Sequence, residues 1–248
     1  MERDEYRRIA AAETSHWWYA TTRELLTQVL GPHLSPGGTF LDAGCGPGAT
    51  GSWMAAMGRV VGVDYEPLAL ELYAESRPGT ALCAASVDAL PFASDSFDAA
   101  LCVTVLYHEG VADPAAAVAE LARVVRPGGY VCLMEPGIRR LRRAHDRVTH
   151  TARRFSRGDL AALASGAGLD PVRATGAYLF LAPPAAVKAV LERGRTDSDL
   201  DTSPGGMGGV LTRVAAAERR LLAGRDLPTG LSVLTVARKP GWNRPRPA

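Results

Sequence analysis

Twelve residues constrain this chain more than any other stretch: Phe40-Leu41-Asp42-Ala43-Gly44-Cys45-Gly46-Pro47-Gly48-Ala49-Thr50-Gly51. A short apolar strand ends in Asp42. The glycines after it let the backbone turn with positive φ and let a ligand approach the main chain. Residues 49–57 read as a helix, whose first N–H groups attract an anion. Asp64 closes the next apolar run, Arg59-Val60-Val61-Gly62-Val63, twenty residues after Gly44. Strand, glycine turn, helix and a second strand closed by an acid are the layout of a nucleotide-type cofactor site at the edge of a parallel sheet.

The surrounding pattern supports such a sheet. Apolar runs at 38–42, 59–63, 80–84, 97–103 and 129–134 alternate with helical stretches near 49–57, 67–76 and 114–125. Alternation of this kind means βαβ units with helices on both faces, and the right-handed crossover rule leaves a doubly wound α/β sheet. Before the sheet, residues 2–30 read as one or two helices broken near His16-Trp17-Trp18-Tyr19. After it come an Arg-rich helix over 139–151 and a helix over 156–167 with Ser156 as N-cap and Asp159 three residues on. Two last strands are expected at 169–181 and 231–237. The insertion between them, 182–230, has helical stretches at 184–193 and 209–223 around a Gly-rich break at 202–209. The expected organisation is one domain over 1–238: an N-terminal helical cap (1–33), a cofactor-binding core (38–135) and acceptor-side helices with the insertion (139–230). A disordered tail is expected over 239–248.

Composition excludes several function classes. With 47% hydrophobic and 22% charged residues over 248 positions, the chain is of ordinary soluble type. No apolar run reaches the roughly 18 residues of a membrane helix. The N-terminus is charged and lacks an apolar signal core, so a cytoplasmic protein is expected. Cys45, Cys83, Cys102 and Cys132 form no C-x-x-C pair and read as reduced core residues rather than metal ligands. A net charge of +2 gives no nucleic-acid footprint.

The glycine run alone matches G-x-G-x-x-G and would suit NAD. The acids around it shift the balance. A carboxylate at Asp42 would repel a pyrophosphate and attract the ammonium of an amino-acid-type cofactor. Asp64 suits two ribose hydroxyls, because an ionised carboxylate accepts two hydrogen bonds. Asp88, in Ser86-Val87-Asp88-Ala89-Leu90-Pro91-Phe92, suits an adenine amino group. With Ser96-Phe97-Asp98 and Glu120-Leu121-Ala122-Arg123-Val124-Val125-Arg126-Pro127-Gly128-Gly129, these motifs stand in an order and spacing that resemble a class I S-adenosylmethionine-dependent methyltransferase of the type 11 domain group. The resemblance covers residues 38–135. It implies a seven-stranded, mostly parallel Rossmann-like sheet with the last strand antiparallel and S-adenosylmethionine as cofactor, with S-adenosylhomocysteine as product. It also implies that Gly44, Gly46 and Gly48 pass close to the cofactor, that Asp64 binds its ribose and that Asp88 and Ala89 hold its adenine. Cys45, Tyr65 and Val103, beside these motifs, join Asp42 as further cofactor candidates. Tyr19 and Arg23 of the N-terminal segment are added, the first as an aromatic cap for a sulfonium and the second for the cofactor carboxylate.

Methyl transfer from a sulfonium is an in-line displacement that needs positioning, exclusion of water and, for some acceptors, a base. The acceptor site is expected at the carboxyl ends of the strands, near Thr104-Val105-Leu106-Tyr107-His108-Glu109. His108 is one candidate base, and its bland alternative is packing within the loop. His145, Asp146 and His150 form a second constellation, with Asp146 and His150 four apart on the expected helix, against an ordinary exposed ion pair. Eight arginines between 139 and 157, set against the single acid Asp146, suit an anionic acceptor, an anionic membrane surface or plain solvation. Trp17, Trp18, Tyr107, Arg153 and Arg154 are candidates for acceptor contact, with packing as the alternative for the tryptophans. The expected function is methyl transfer to a small-molecule acceptor, anionic or lipid-linked, in biosynthesis and secondary metabolism, by a monomer or homodimer without a nucleic-acid partner. Peripheral membrane contact stays open. The alternatives are another reaction driven by the sulfonium, such as a cyclisation, or a non-catalytic regulator that binds the cofactor.

Overall fold

Alternating apolar residues along each strand give both faces of one sheet something to bury, and the sheet forms accordingly. The computed structural model describes residues 3–139, 141, 150–191 and 207–241. Its strands are β1 (Gly38–Ala43), β2 (Gly58–Asp64), β3 (Ala81–Ala84), β4 (Phe97–Val103), β5 (Val125–Pro136), β6 (Asp170–Ala177) and β7 (Ser232–Arg238), in the order β3-β2-β1-β4-β5-β7-β6. Strands β1 to β5 pair in parallel, and β7 runs antiparallel to both β5 and β6. The expected seven-stranded, mostly parallel architecture is therefore present, with the last strand reversed.

Period-two alternation sorts the core into two layers. Leu41, Val63, Ala100, Cys102, Val131 and Leu133 face one side, against α4 (Pro114–Val124) and α5 (Arg157–Gly166). Phe40, Val60, Leu101, Cys132, Met134 and Leu234 face the other, against α2 (Trp17–Leu30) and α7 (Met207–Leu222). The remaining helices are α1 (Arg3–Ala12), α3 (Pro67–Ser76) and α6 (Ala182–Leu191). The capping box of α5 is present as its sequence implied: the Asp159 N–H donates to Ser156 Oγ and the Ser156 N–H to Asp159 Oδ2.

The N-terminal cap is tied to the sheet by a buried polar knot. His16 is the N-cap of α2, its Nδ1 accepting from the Trp18 N–H. Thr22 and Leu25, Leu26, Val29 and Leu30 recur on the buried face of that helix. At the end of β6, Tyr178 takes a left-handed backbone (φ 60°), which stops the strand and aims its ring at α2. Its hydroxyl lies 2.8 Å from Thr22 Oγ1 and 3.2 Å from Thr21 Oγ1.

Three local expectations are corrected. The stretch 49–57 is not an α-helix: a 3-10 turn, Ser52–Ala56, replaces it. Four glycines and Pro47 make a poor helix start. The tight i→i+3 bonding also drops Met54 into the core within the short run to β2. The strand expected to 181 ends at Ala177, where Tyr178 turns the chain. Most of the Arg-rich helix 139–151 lies outside the described residues, but its far end is no helix: His150 sits in a turn with φ 48°, and Thr151 bridges to His108. The end of the tail, from 242 on, also lies outside the described residues.

Replacing Tyr178 by Phe leaves the packing and removes the hydroxyl that joins cap to sheet. Tyr178→Phe is expected to lower stability by about 1–2 kcal/mol in urea denaturation.

Candidate cofactor and acceptor site

Strand order reverses between β1 and β4, and a doubly wound sheet opens its binding crevice at such a switch point, at the carboxyl ends of the strands. Asp42 and Gly44 come from one side of that crevice and Val103 and Val105 from the other. Gly44 (φ 71°) carries no side chain because a Cβ there would collide with Val105 Cγ2, and a Cβ on Gly48 (φ 97°) would collide with the Tyr73 ring. The Gly44 and Cys45 N–H groups donate to the Val63 carbonyl at 2.7 and 2.9 Å, locking the loop against β2.

The acids of the crevice are buried and unequally satisfied. Asp64 accepts from the Gly46 N–H (2.8 Å) through one oxygen and from the Glu66 N–H (2.9 Å) through the other. Burial raises its pKa, opposed by those two bonds. Asp42 is 3% exposed, its Oδ2 lacks a hydrogen-bond partner, and it lies so close to Gly51 that no Cβ fits there. Burial, then the charge of Glu13, pushes Asp42 up to about 7. Glu13, in the turn between α1 and α2, reaches over the loop and accepts from the Ala49 N–H at 3.1 Å. It is 4% exposed, and burial raises it to about 7 as well. A buried carboxylate oxygen without a donor, beside a backbone cradle of glycines, fits a ligand that brings positive charge and hydrogen-bond donors. S-adenosylmethionine is such a ligand.

Other cofactor candidates are placed as follows. Tyr65 stands 80% exposed at the end of β2. Val103 ends β4 in the core. Asp88 and Ala89 occupy the loop after β3. A brace missing from the sequence reading holds that loop: Glu120 accepts from the Leu90 N–H at 3.0 Å, and Arg123 donates to the Leu90 and Phe92 carbonyls at 3.0 and 2.7 Å. Arg23 points elsewhere than expected, donating to the Glu13 carbonyl at 3.1 Å. Tyr19 is buried at the cap, close enough to Glu13 and Tyr107 for their charges to raise its pKa further after burial.

On the acceptor side, one unforeseen residue organises the loop. Glu135, fully buried near the end of β5, accepts from the Val105 (3.0 Å), Leu106 (2.8 Å) and Tyr107 (3.2 Å) N–H groups. Burial pushes it up to about 8 against these three bonds. Arg153 completes the clamp by donating to the Leu106 (3.3 Å) and Val111 (2.8 Å) carbonyls. Arg154 donates to the Gly137 carbonyl at 3.0 Å, and Arg139 pairs with Asp159. These guanidiniums hold the chain together where the sequence suggested an anion clamp. Tyr107 and His108 lie with ring centroids 4.0 Å apart.

His150 Nδ1 sits 3.6 Å from a Glu109 oxygen at the surface. Its own segment is a turn rather than the expected helix. His145 and Asp146 lie outside the described residues. Trp17 and Trp18 pack against the cap-side core, Trp17 edge-on to Tyr178 at 5.9 Å and Trp18 edge-on to Tyr19 at 4.9 Å. Among the described residues no group of three His, Cys, Asp or Glu could hold a metal ion, and no helix is long and apolar enough to cross a membrane.

The sheet order, the reversed β7 and the acid-lined glycine crevice define the Rossmann-like methyltransferase class. Comparison with known proteins agrees. The family described as "Methyltransferase domain" matches residues 41–133. The ubiquinone biosynthesis O-methyltransferase of Thiobacillus denitrificans is 31% identical over 175 residues, covering 56% of this chain and 68% of that protein. The demethylmenaquinone methyltransferase of Renibacterium salmoninarum is 33% identical over 129 residues, covering 51% of this chain and 50% of that protein. The chain thus spans only half the length of the latter relative. Among solved structures, the methyltransferase in complex with the Haloferax volcanii Trm112 activator superposes with a TM-score of 0.62 at 22% identity, over 95% of this chain and 98% of that one. The chain belongs to the S-adenosylmethionine-dependent methyltransferases, whose cofactor is S-adenosylmethionine.

Glu135 gives a graded test of the acceptor loop. Glu135→Leu strands three buried N–H groups and is expected to cost more than about 3 kcal/mol. Glu135→Gln keeps one accepting oxygen and is expected to cost about 1–3 kcal/mol. Urea midpoints of the two variants check the order.

Proposed function

We propose that this protein transfers the methyl group of S-adenosylmethionine to a small-molecule acceptor that reacts through oxygen, lodged between the N-terminal cap and the loop Thr104–Glu109. The observation that carries this reading is the closure of the cap on the crevice: Glu13 bonds the Ala49 N–H, and Tyr19 is buried beside Tyr107. A crevice covered in this way suits a small molecule and shields an in-line displacement from water. The O-methyltransferase relative supports an oxygen acceptor.

In this reading Gly44, Gly46 and Gly48 let the cofactor approach the main chain, Asp64 takes its ribose and the loop of Asp88 and Ala89 its adenine. The bound cofactor supplies an activated methyl group on a sulfonium. His108, at the loop tip beside Tyr107, removes the acceptor proton. The clamp of Glu135 and Arg153 fixes where that histidine stands. An anionic acceptor draws no support from Arg153 or Arg154, whose guanidiniums are taken by carbonyls. The four free cysteines fit a reducing, cytoplasmic setting, and a role in biosynthesis accords with the quinone-pathway names of the two relatives.

The protein is to be incubated with S-adenosylmethionine and a panel of small phenols and carboxylic acids. S-adenosylhomocysteine should form only with acceptor present, and the product should gain one methyl by mass spectrometry. Acceptor conversion with no gain in mass would show that the sulfonium serves another reaction, and no turnover with any acceptor would favour a binding protein. With an acceptor in hand, His108→Ala is expected to lower kcat by about 10²–10⁴-fold. Its affinity for S-adenosylhomocysteine should be unchanged. Unaltered kcat would remove the histidine from the chemistry.

A further inference from the structure

Two carboxyl groups at the inner end of the crevice lack the cations that burial demands. Asp42 and Glu13 are 3% and 4% exposed, and no ion pair reaches either among the described residues. The basic side chains nearby are spent on other groups. Arg23 donates to the backbone carbonyl of Glu13, not to its carboxylate. Arg77 donates to the Pro47 carbonyl at 3.3 Å and to Ser76 Oγ at 2.9 Å. One oxygen of Asp42 has no partner at all. Like charges buried together without a counter-ion are unfavourable, and each such group takes up a proton or waits for a cation.

The remaining groups that face the pair do not titrate with it. Tyr19 of α2, Tyr73 of α3 and Cys45 of the glycine loop are raised by burial, and Cys102 of β4 is raised well above its ordinary value. They stay neutral near pH 7. Asp64, on β2, is the third acid, and its two backbone N–H donors already satisfy it. Glu5 of α1, 1% exposed, faces Tyr19 and lies 3.7 Å from Arg8, and Tyr6 of α1 faces Asp64. The unmet negative charge therefore falls on Asp42 and Glu13.

We propose that Glu13, acting with Asp42, reads the charge of the cofactor and holds the sulfonium form in preference to the neutral thioether left after transfer. The proposal rests on the placement of the cofactor in this crevice. Before transfer the cofactor carries a sulfonium, an ammonium and a carboxylate, a net charge of about +1. On transfer the methyl leaves to a lone pair of the acceptor and sulfur keeps the bonding electrons, so one positive charge disappears from the crevice. The acid pair is then under-compensated, and the product is released more readily than the substrate form. Glu13 has no counterpart in the glycine motif itself. It belongs to the cap, so the same carboxyl that closes the crevice on Ala49 also weighs what lies beneath.

The test uses titration calorimetry of the full chain with S-adenosylmethionine and with S-adenosylhomocysteine between pH 6 and 8.5. Affinity for the sulfonium form should rise with pH by about tenfold per carboxylate that must lose its proton. Affinity for the thioether, which keeps only the ammonium, should rise less steeply. In buffers of different ionisation enthalpy at pH 7, binding of the sulfonium form should release more protons than binding of the thioether. Glu13→Gln keeps an acceptor for the Ala49 N–H. It should weaken sulfonium binding severalfold at pH 8, leave thioether binding within about twofold, and shrink the proton release. Equal pH profiles for the two ligands in the unmodified protein overturn the proposal, whether or not the variant folds. Equal losses for both ligands in Glu13→Gln assign the residue to cap closure alone and overturn it too. Failure of either ligand to bind refutes the cofactor placement itself, a result distinct from both.

Discussion

The carboxyl edge of this sheet depends on one buried side chain, Glu135. A loop that leaves a central strand normally runs over the surface, where water satisfies its N–H groups. Here the loop after β4 turns inward through Thr104, a non-glycine residue with φ 54°, and packs Val105 against the glycine turn. Three consecutive N–H groups lose water in doing so. Glu135, one strand over, supplies a carboxylate to all three. Arg153 draws the same loop from the opposite side through two carbonyls. The cost of burying one acid is thereby converted into a fixed path for six residues, Thr104 to Glu109, beside the glycine turn.

How much of this could be read beforehand depended on whether a feature is local. Period-two apolar runs and the glycine turn are local signals, and the strands β1 to β5 lie where those runs stand. So is the capping box at Ser156. The 3-10 turn after the glycines was misread because propensity says helix or not, whereas the choice was made by Met54 needing to reach the core before β2 begins. The roles of the described arginines were hidden for a related reason. Composition counts charges but does not say that Arg139, Arg153 and Arg154 will each meet a carboxylate or a carbonyl brought close by the fold.

The candidate site divides along the same line. Asp42 and Asp64 were visible because each ends an apolar run next to glycine. Glu135 ends the run Val131-Cys132-Leu133-Met134 in the same manner, and that pattern was available to read. Glu13 offered nothing comparable: it sits among alanines, threonine and serine, and only the docking of the cap gives it a partner at Ala49. Tyr178 likewise became informative only when β6 placed its hydroxyl between Thr21 and Thr22.

Glu135 and the Asp42–Glu13 pair are equally hidden from water yet differently furnished. Glu135 has three donors, so both of its oxygens are occupied from within the protein and its work is structural. Asp42 has an oxygen with no donor, and Glu13 has a single N–H. Arg23 and Arg77, whose charges act on this pair, are bonded to carbonyls and a hydroxyl instead. Burial that is satisfied from within rigidifies. Burial left short of donors makes the protein sensitive to whatever enters, and Asp42 places such a shortage beside the glycine turn.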